Sequence, residues 1–301
     1  MIWPFGLSIF YPDPISWPFW QIAGSGLLLL FFSYGVLRGS KRYPYLGLGW
    51  LWYLGTLVPV IGLFKVGSFR IADRYTYVPL IGLFILIAWG IPDLLKKWGL
   101  QRSFLFPSSI VLLFLLMIIS AKQVRHWENT FTLFTHAIEV TKNNYLAHGN
   151  LAVAYLRQGQ LDRASAHNRE ALKIVPHHFN FNLNMGEIYA MQGRMDQAIF
   201  HFRKALRIGP NSPAVHRNLG DALLKKGLAG EAIPHYQRVL PKMPDSPELH
   251  NNLAVALALS GKVDEAVVHL QIAVRLKPDY AQAKDNLSKL QKKPQSANPS
   301  E

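Results

Sequence analysis

The sequence predicts an all-α protein in which a transmembrane helical bundle is followed by an α-solenoid of helical repeats. Two observations lead to this fold class. Residues 1–121 contain long apolar stretches, whereas the rest of the chain resembles itself at a spacing of 34 residues. The composition changes at the same point, because all eleven histidines lie after residue 121. Such a change indicates a boundary between a part of the chain in lipid and a part in water.

The apolar part of the chain, residues 1–121, is predicted to be a membrane domain with about four transmembrane helices. A hydrocarbon core about 30 Å thick is crossed by about 20 helical residues, and helices that face lipid lack a polar side. Aromatic residues near the ends of the stretches are typical of the membrane interface. We place the four helices near residues 17–37, 44–64, 77–95 and 104–121.

The orientation in the membrane is predicted from lysines and arginines, which favour the cytoplasmic side. The short loops 38–43 and 96–103 carry six of these residues, against five on the opposite side. We therefore predict cytoplasmic loops at 38–43 and 96–103. Both termini and the repeats then lie outside the cytoplasm, on the periplasmic side if the protein belongs to a bacterial inner membrane. The net charge of +14 suits an anionic bilayer surface. The basic residues are spread along the chain, and we expect no nucleic-acid partner.

The second part of the chain repeats glycine, alanine and proline at intervals of 34 residues. Glycine suits a turn that needs positive φ, a small alanine lets two helices approach, and proline ends a helix. These residues and their spacing resemble the tetratricopeptide repeat (TPR) over residues 145–278, and we assign four repeats to residues 143–278. The recurring positions are Gly159, Gly193, Gly227 and Gly261; Ala164, Ala198, Ala232 and Ala266; and Pro176, Pro210, Pro244 and Pro278.

Shorter segments flank the four repeats. Residues 122–142 are predicted to form a degenerate half repeat, because Phe134 and Ala137 lie 34 residues before equivalent positions of the first full repeat. Residues 279–291 have the polar composition of a capping helix that ends a repeat array. The polar segment 292–301 is predicted to be disordered.

An asparagine recurs at the sixth position of each repeat. A carboxamide has both a donor and an acceptor, so it can pair with a peptide group. The row is similar to the asparagine ladder of the O-linked N-acetylglucosamine transferase superhelix, and this resemblance implies contacts to the backbone of an extended polypeptide. The alternative is a solvated residue that simply belongs to the consensus. The predicted peptide-binding residues are Asn150, Asn184, Asn218, Asn252 and Asn286.

A row of histidines, His167, His201, His235 and His269, has the same spacing. Packed helices lie about 8–10 Å apart, and Zn–N bonds of about 2 Å cannot join equivalent positions of successive repeats. We expect this row to pack between helices and predict no metal site. The chain has no cysteine and no phosphate-binding loop, dinucleotide fingerprint or HExxH motif, so we expect no cofactor.

The segment Ala72–Asp73–Arg74–Tyr75–Thr76–Tyr77–Val78–Pro79 follows Gly55–Thr56–Leu57–Val58–Pro59. Together with the repeats, it resembles the transmembrane and TPR family of protein O-mannosyltransferases and their bacterial relatives, which are GT-C-type glycosyltransferases. The resemblance implies a polyprenyl-phosphate sugar as donor, and weak catalytic candidates in Asp73 and Arg74. The catalytic carboxylates of that family lie in an early extracytoplasmic loop. We expect the sequence to lack this loop and to correspond to the C-terminal half of such an enzyme, not catalytic alone.

Two functions remain open from the sequence. The first is a membrane-anchored TPR scaffold that binds an extended peptide or protein along its concave face outside the cytoplasm, with membrane lipid as its other partner. The second is the C-terminal portion of an O-mannosyltransferase-like protein O-glycosyltransferase. The upstream catalytic loop that we expect to be missing favours the scaffold, whereas the retained signature segment favours the transferase.

Overall fold

A computed structural model describes residues 18–57, 77–97 and 105–292, and it contains no strand in these ranges. Every regular element in them is helical, with fourteen α-helices and one short 3-10 helix, Leu240–Lys242. The all-α prediction is therefore confirmed. Contacts between Cα atoms divide the chain into two compact units, Met1–Leu151 and Ala152–Glu301.

Within the described ranges, the first unit contains four apolar helices ahead of the repeat region. Three of them, α1, α3 and α4, are long and apolar enough to cross a membrane. The second predicted transmembrane stretch, near 44–64, is helical as far as Leu57, and its remaining residues lie outside the described ranges. The bounds are α1 Phe19–Ser40, α2 Pro44–Leu57, α3 Tyr77–Lys97 and α4 Leu105–Arg125.

Helices α2 and α3 pack backbone against backbone. A Cβ atom added to Gly49 would lie 2.5 Å from the carbonyl oxygen of Gly82, so only glycine allows this approach. The Trp50 indole donates a hydrogen bond of 2.9 Å to the Ser33 hydroxyl of α1, which joins the first two helices. The large apolar side chains of α1 and α4 remain exposed, as expected for surfaces in contact with lipid.

The helices of the repeat region are shorter than α1, α3 and α4. Two of them, α5 and α6, begin in the first unit, and the boundary between the units lies inside α6. The 3-10 helix follows α11. The bounds are α5 Thr130–Val140, α6 Tyr145–Arg157, α7 Leu161–Ile174, α8 Phe179–Met191, α9 Met195–Ile208, α10 Pro213–Lys225, α11 Ala229–Val239, α12 Pro247–Leu259, α13 Val263–Leu276 and α14 Ala281–Lys292.

Each repeat consists of a first helix, a tight turn and a second helix. The turn glycines have φ between 72° and 83°, in the left-handed region that glycine adopts without strain. A second set of glycines provides space within the helix pair. A Cβ atom added to Gly186 would lie 2.4 Å from the Phe202 ring, and one added to Gly220 would lie 2.8 Å from the Tyr236 ring. The predicted α-solenoid is confirmed in the second unit, where successive helices share one apolar core.

Candidate functional site

The predicted asparagine ladder lies on the first helices of the repeats. In the second unit these helices are α8, α10 and α12, followed by the last helix, α14. Helix α10 contacts both α8 and α12, so the first helices form one layer of the array. The ladder side chains in this unit, Asn184, Asn218, Asn252 and Asn286, are all half-buried.

Three ladder amides connect neighbouring first helices. The Asn218 Nδ2 donates to Glu187 Oε1 at 2.9 Å, and the Asn252 Nδ2 donates to Asp221 Oδ1 at 3.0 Å. The Asn286 Nδ2 donates at 3.0 Å to the Oδ1 of Asn251, which precedes the ladder residue Asn252. These asparagines therefore stabilise the stacking of the repeats, and an Nδ2–H is already bonded within the array.

The other two ladder residues, Asn184 and Asn150, donate no side-chain hydrogen bond to a neighbouring first helix in the described structure. The Asn184 side chain makes no hydrogen bond within the part of the chain that the structure describes. Asn150 belongs to the first unit and is exposed, and its Nδ2 donates 2.8 Å to the Leu146 carbonyl oxygen of its own helix. Of the half-buried ladder residues, Asn184 is therefore the one whose amide is open to a ligand.

The carboxylates beside the ladder were not predicted from the sequence. Glu187 and Asp221 both lie three positions after a ladder asparagine, and this shared spacing is the signal that was available. Burial raises the pKa of Glu187, although its hydrogen bond from Asn218 and the charge of Arg217 act in the opposite direction. Asp221 also accepts a hydrogen bond of 2.8 Å from the Tyr236 hydroxyl. Next to the amide oxygens, these carboxylates make the face rich in hydrogen-bond acceptors.

The histidine row packs against the fourth position of the first helix. His216 approaches His235, with 2.9 Å between their Nδ1 atoms, and its Nε2 lies 2.9 Å from the Pro210 carbonyl oxygen. Because a carbonyl only accepts, His216 donates from Nε2, and its neutral Nδ1 accepts from His235. His250, His269 and the Pro244 carbonyl repeat this arrangement. The 34-residue spacing of His216 and His250 was visible in the sequence, but their partnership with the other row was not.

The first of these junctions differs from the others. Asn182 replaces the inner histidine, and its Oδ1 lies 3.2 Å from His201 Nδ1. Its Nδ2 donates to the Pro176 carbonyl oxygen at 3.1 Å. Burial and the charge of Lys204 lower the pKa of His201 to about 4. The described residues include no group of three or more histidine or acidic side chains placed to hold a metal ion.

The weak catalytic candidates Asp73 and Arg74, in the segment Ala72–Pro79, lie outside the described residues. The same holds for most of the segment that carries the resemblance to the O-mannosyltransferase family. Their roles therefore stay predictions from the sequence.

In comparisons with known proteins, the repeat region matches family profiles. Family profiles described as "TPR repeat" or "Tetratricopeptide repeat" match residues 133–164, 186–227 and 223–290. A solved structure titled "Crystal structure of YrrB: a TPR protein with an unusual peptide-binding site" is similar in fold, with a TM-score of 0.50 and 17% identity. That similarity covers 56% of this chain and 86% of the solved chain.

Curated relatives are proteins of the transmembrane and TPR group. Protein O-mannosyl-transferase TMTC1 of Mus musculus is 32% identical over 133 residues, which are 43% of this chain and 14% of the relative. Protein O-mannosyl-transferase TMTC3 of Mus musculus is 29% identical over 123 residues, 40% of this chain and 13% of the relative. The chain thus matches about one seventh of the length of these relatives. Within residues 133–290 the chain is a tetratricopeptide-repeat array, preceded by apolar helices and similar to part of the O-mannosyl-transferases of the TMTC group.

Proposed function

We propose that this protein is a membrane-anchored TPR scaffold that binds an extended polypeptide along the layer of first helices, outside the cytoplasm. One observation carries the proposal: the first helices of successive repeats present asparagines and carboxylates in one row. A TPR array is suited to protein interactions because stacked repeats form a long continuous surface. The solved TPR protein of similar fold is itself described as having a peptide-binding site.

The chemistry of the row favours peptide backbone as the ligand. The Oδ1 atom of Asn218 and the Glu187 and Asp221 carboxylates are acceptors, which pair with the N–H groups of an extended chain. Packed helices lie about 8–10 Å apart, and an extended chain advances about 3.3 Å per residue. One repeat therefore corresponds to about three peptide residues. Because these contacts are to the peptide backbone, many peptide sequences should bind. Peptides whose side chains also donate hydrogen bonds should bind more tightly.

Asn184→Ala is expected to weaken peptide binding several-fold without changing stability. Its amide has no hydrogen bond in the described structure, so the variant removes only a bond to the ligand, worth about 0.5–1.5 kcal/mol. Affinity is measured by fluorescence anisotropy for peptides selected on the full chain in detergent, alongside the thermal midpoint. The matched control is Gln237→Ala, a carboxamide exposed on the second helix of a repeat.

If Asn184→Ala left the peptide affinity unchanged, or if Gln237→Ala lowered it equally, the ladder would not be part of the peptide-binding site. The triple variant Asn184→Ala, Asn218→Ala, Asn252→Ala is expected to lose most binding. It also loses two hydrogen bonds between repeats. A fall in its thermal midpoint is therefore expected and does not bear on the ligand.

A second candidate function is protein O-glycosyl transfer from a polyprenyl-phosphate sugar. It is favoured by the similarity to the O-mannosyl-transferases. Under this proposal Arg74 contacts the donor phosphate and Asp73 orients Arg74 or assists catalysis, while the repeats hold the acceptor polypeptide. Both proposals need the array on the extracytoplasmic side.

The side of the membrane is tested with a reporter enzyme that is active only outside the cytoplasm. Fused after Glu301, the reporter is expected to be active, and placed between Arg38 and Tyr43 it is expected to be silent. The basic residues of the 38–43 loop are the physical reason, since such residues resist export. The reverse pattern would place the array in the cytoplasm and would exclude the transferase as well.

A further inference from the structure

A cavity of about 260 Å³ lies where α7 meets α8 and α9. Its lining includes Asn182 and His201, the pair that replaces a histidine pair at this junction. All of its lining belongs to the second unit, and none of it belongs to the asparagine ladder. The cavity is therefore separate from the proposed peptide site.

The repeat pattern explains why the cavity opens here. Residues 182, 216 and 250 are equivalent, and His216 and His250 each fill the space between a proline carbonyl oxygen and a second histidine. The shorter Asn182 reaches the same two partners, the Pro176 carbonyl oxygen and His201. An imidazole occupies more volume than a carboxamide, so the substitution at residue 182 leaves room beside it.

The cavity has cations at its rim and an apolar wall. Arg169, Lys173 and Lys204 are its charged lining residues, and Leu172 and Met185 lie among its apolar ones. Lys173 is paired with Glu170 at 2.7 Å. Lys204 lies 4.4 Å from the centre of the Phe200 ring, a contact that leaves its positive charge uncompensated. Arg169 and Lys204 thus give the lining a net positive charge.

The equivalent places further along lack this combination. At the junction that follows α11, the positions of Arg169, Lys173 and Lys204 are occupied by Gln237, Pro241 and Ile272. At the junction between them, the three positions are Arg203, Arg207 and Arg238. Arg203 is paired with Glu231 at 2.8 Å, and His216 takes the place that Asn182 leaves open at the first junction. Space and uncompensated charge therefore coincide only at the first of these three junctions.

We propose that this cavity binds a small organic phosphate, with the phosphate against Arg169 and Lys204 and the apolar part against Leu172 and Met185. A phosphate dianion is matched by two cations, and the arginine fork pairs with its oxygens in bidentate fashion. The cavity volume suits a group of about the size of a phenyl ring beside the phosphate. The same phosphate chemistry is offered by a soluble phosphate ester and by a lipid headgroup.

His201 gives the site an internal probe. Asn182 and Tyr189 of α8 contact its ring, Lys204 of its own helix lowers its pKa, and Arg169 and Lys173 of α7 line the same cavity. Burial and Lys204 hold the pKa of His201 low, at about 4. An anion in the cavity offsets the charge of Lys204, so bound ligand should raise the pKa of His201.

The test uses the full chain in a sugar-headgroup detergent that carries no phosphate. Phenyl phosphate is titrated by calorimetry, and the His201 ring is followed by NMR, with His201→Gln to assign its signal. Saturable binding, tighter than for inorganic phosphate or phenol, and a raised pKa of His201 are expected. Dihexanoyl phosphatidic acid in the same titration separates the sources: tighter binding than phenyl phosphate assigns a lipid headgroup, and weaker binding assigns a soluble ester.

Three variants test whether the ligand binds in this cavity. Asn182→His should fill the cavity and weaken binding at least about tenfold, with the thermal midpoint kept. Arg169→Gln should weaken binding at least about tenfold, the factor for losing one charge-assisted hydrogen bond of the bidentate pair. Arg207→Gln, an exposed cation on α9 outside the cavity, should have no effect. Absence of saturable binding, wild-type affinity in Asn182→His, or an equal loss in Arg207→Gln would overturn the proposal.

Discussion

Tyr236→Ala is expected to destabilise the array by about 3–5 kcal/mol, the range for removing a large aromatic ring from a core. Tyr236 is 0% exposed, and its ring occupies the space that Gly220 leaves by having no side chain. Its hydroxyl also donates to Asp221, which accepts from the ladder residue Asn252 as well. The substitution therefore opens a cavity and removes one of two donors to a carboxylate.

The measurement is the free energy of unfolding of the full chain, followed by helical circular dichroism in denaturant. Tyr236→Phe is the matched control, because it keeps the ring and removes only the hydroxyl. It should cost about 1–2 kcal/mol, since Asp221 loses a hydrogen bond in a half-buried place. If Tyr236→Phe and Tyr236→Ala lowered the free energy of unfolding equally, the hydroxyl and not the packing of the ring would hold α10 and α11 together.

Acidification is expected to weaken the array between about pH 6.5 and pH 4. Burial lowers the pKa values of His167, His201, His235 and His269 below the usual value of 6.5. The unfolded chain then binds more protons than the folded chain in this interval, so stability falls as the pH falls. The stabilisation is fully present above pH 6.5 and is lost progressively towards the folded pKa, which is about 4 for His201.

The histidine pairs contribute to this effect. After burial, the nearby His216 and His250 are the next causes that lower the pKa values of His235 and His269, respectively. Glu187 acts in the opposite direction, because its raised pKa favours the protonated, folded form on acidification. The denaturation midpoint is measured at several pH values for the wild type and for His201→Gln. A smaller fall in the variant is expected, and an identical fall would remove His201 from the cause.

The repeat period was sufficient to predict the fold of the second half. Glycines at the turns, alanines between helices and prolines at helix ends each have one physical reason to recur, and each such set lies where the period places it. The apolar helices of the first half were predicted from length and hydropathy alone. These properties are local or periodic, which is why one sequence reveals them.

Contacts between repeats were not predictable in the same way. The ladder was predicted to contact a bound polypeptide, and the hydrogen bonds that three of its amides donate to the preceding first helix were not predicted. Asn168 takes a position held elsewhere by Phe202, Tyr236 and Leu270, and its amide donates 2.7 Å to the Phe181 carbonyl oxygen. Such bonds depend on the rotation of one helix against the next, which the spacing of residues does not specify. The sequence likewise shows that asparagine stands at residue 182 where the next repeat has His216. Only the packed structure shows the cavity beside Asn182.

The bonds between first helices also determine how the array responds to pulling. In the second unit each helix packs mainly on its neighbours along the chain, and α14 at the C-terminal end is held by α13 and by the Asn286–Asn251 hydrogen bond. Tension applied at that end would therefore load one interface at a time. The repeats would detach in sequence, each lengthening the chain by a similar step, so that the array would yield to load in steps and not all at once.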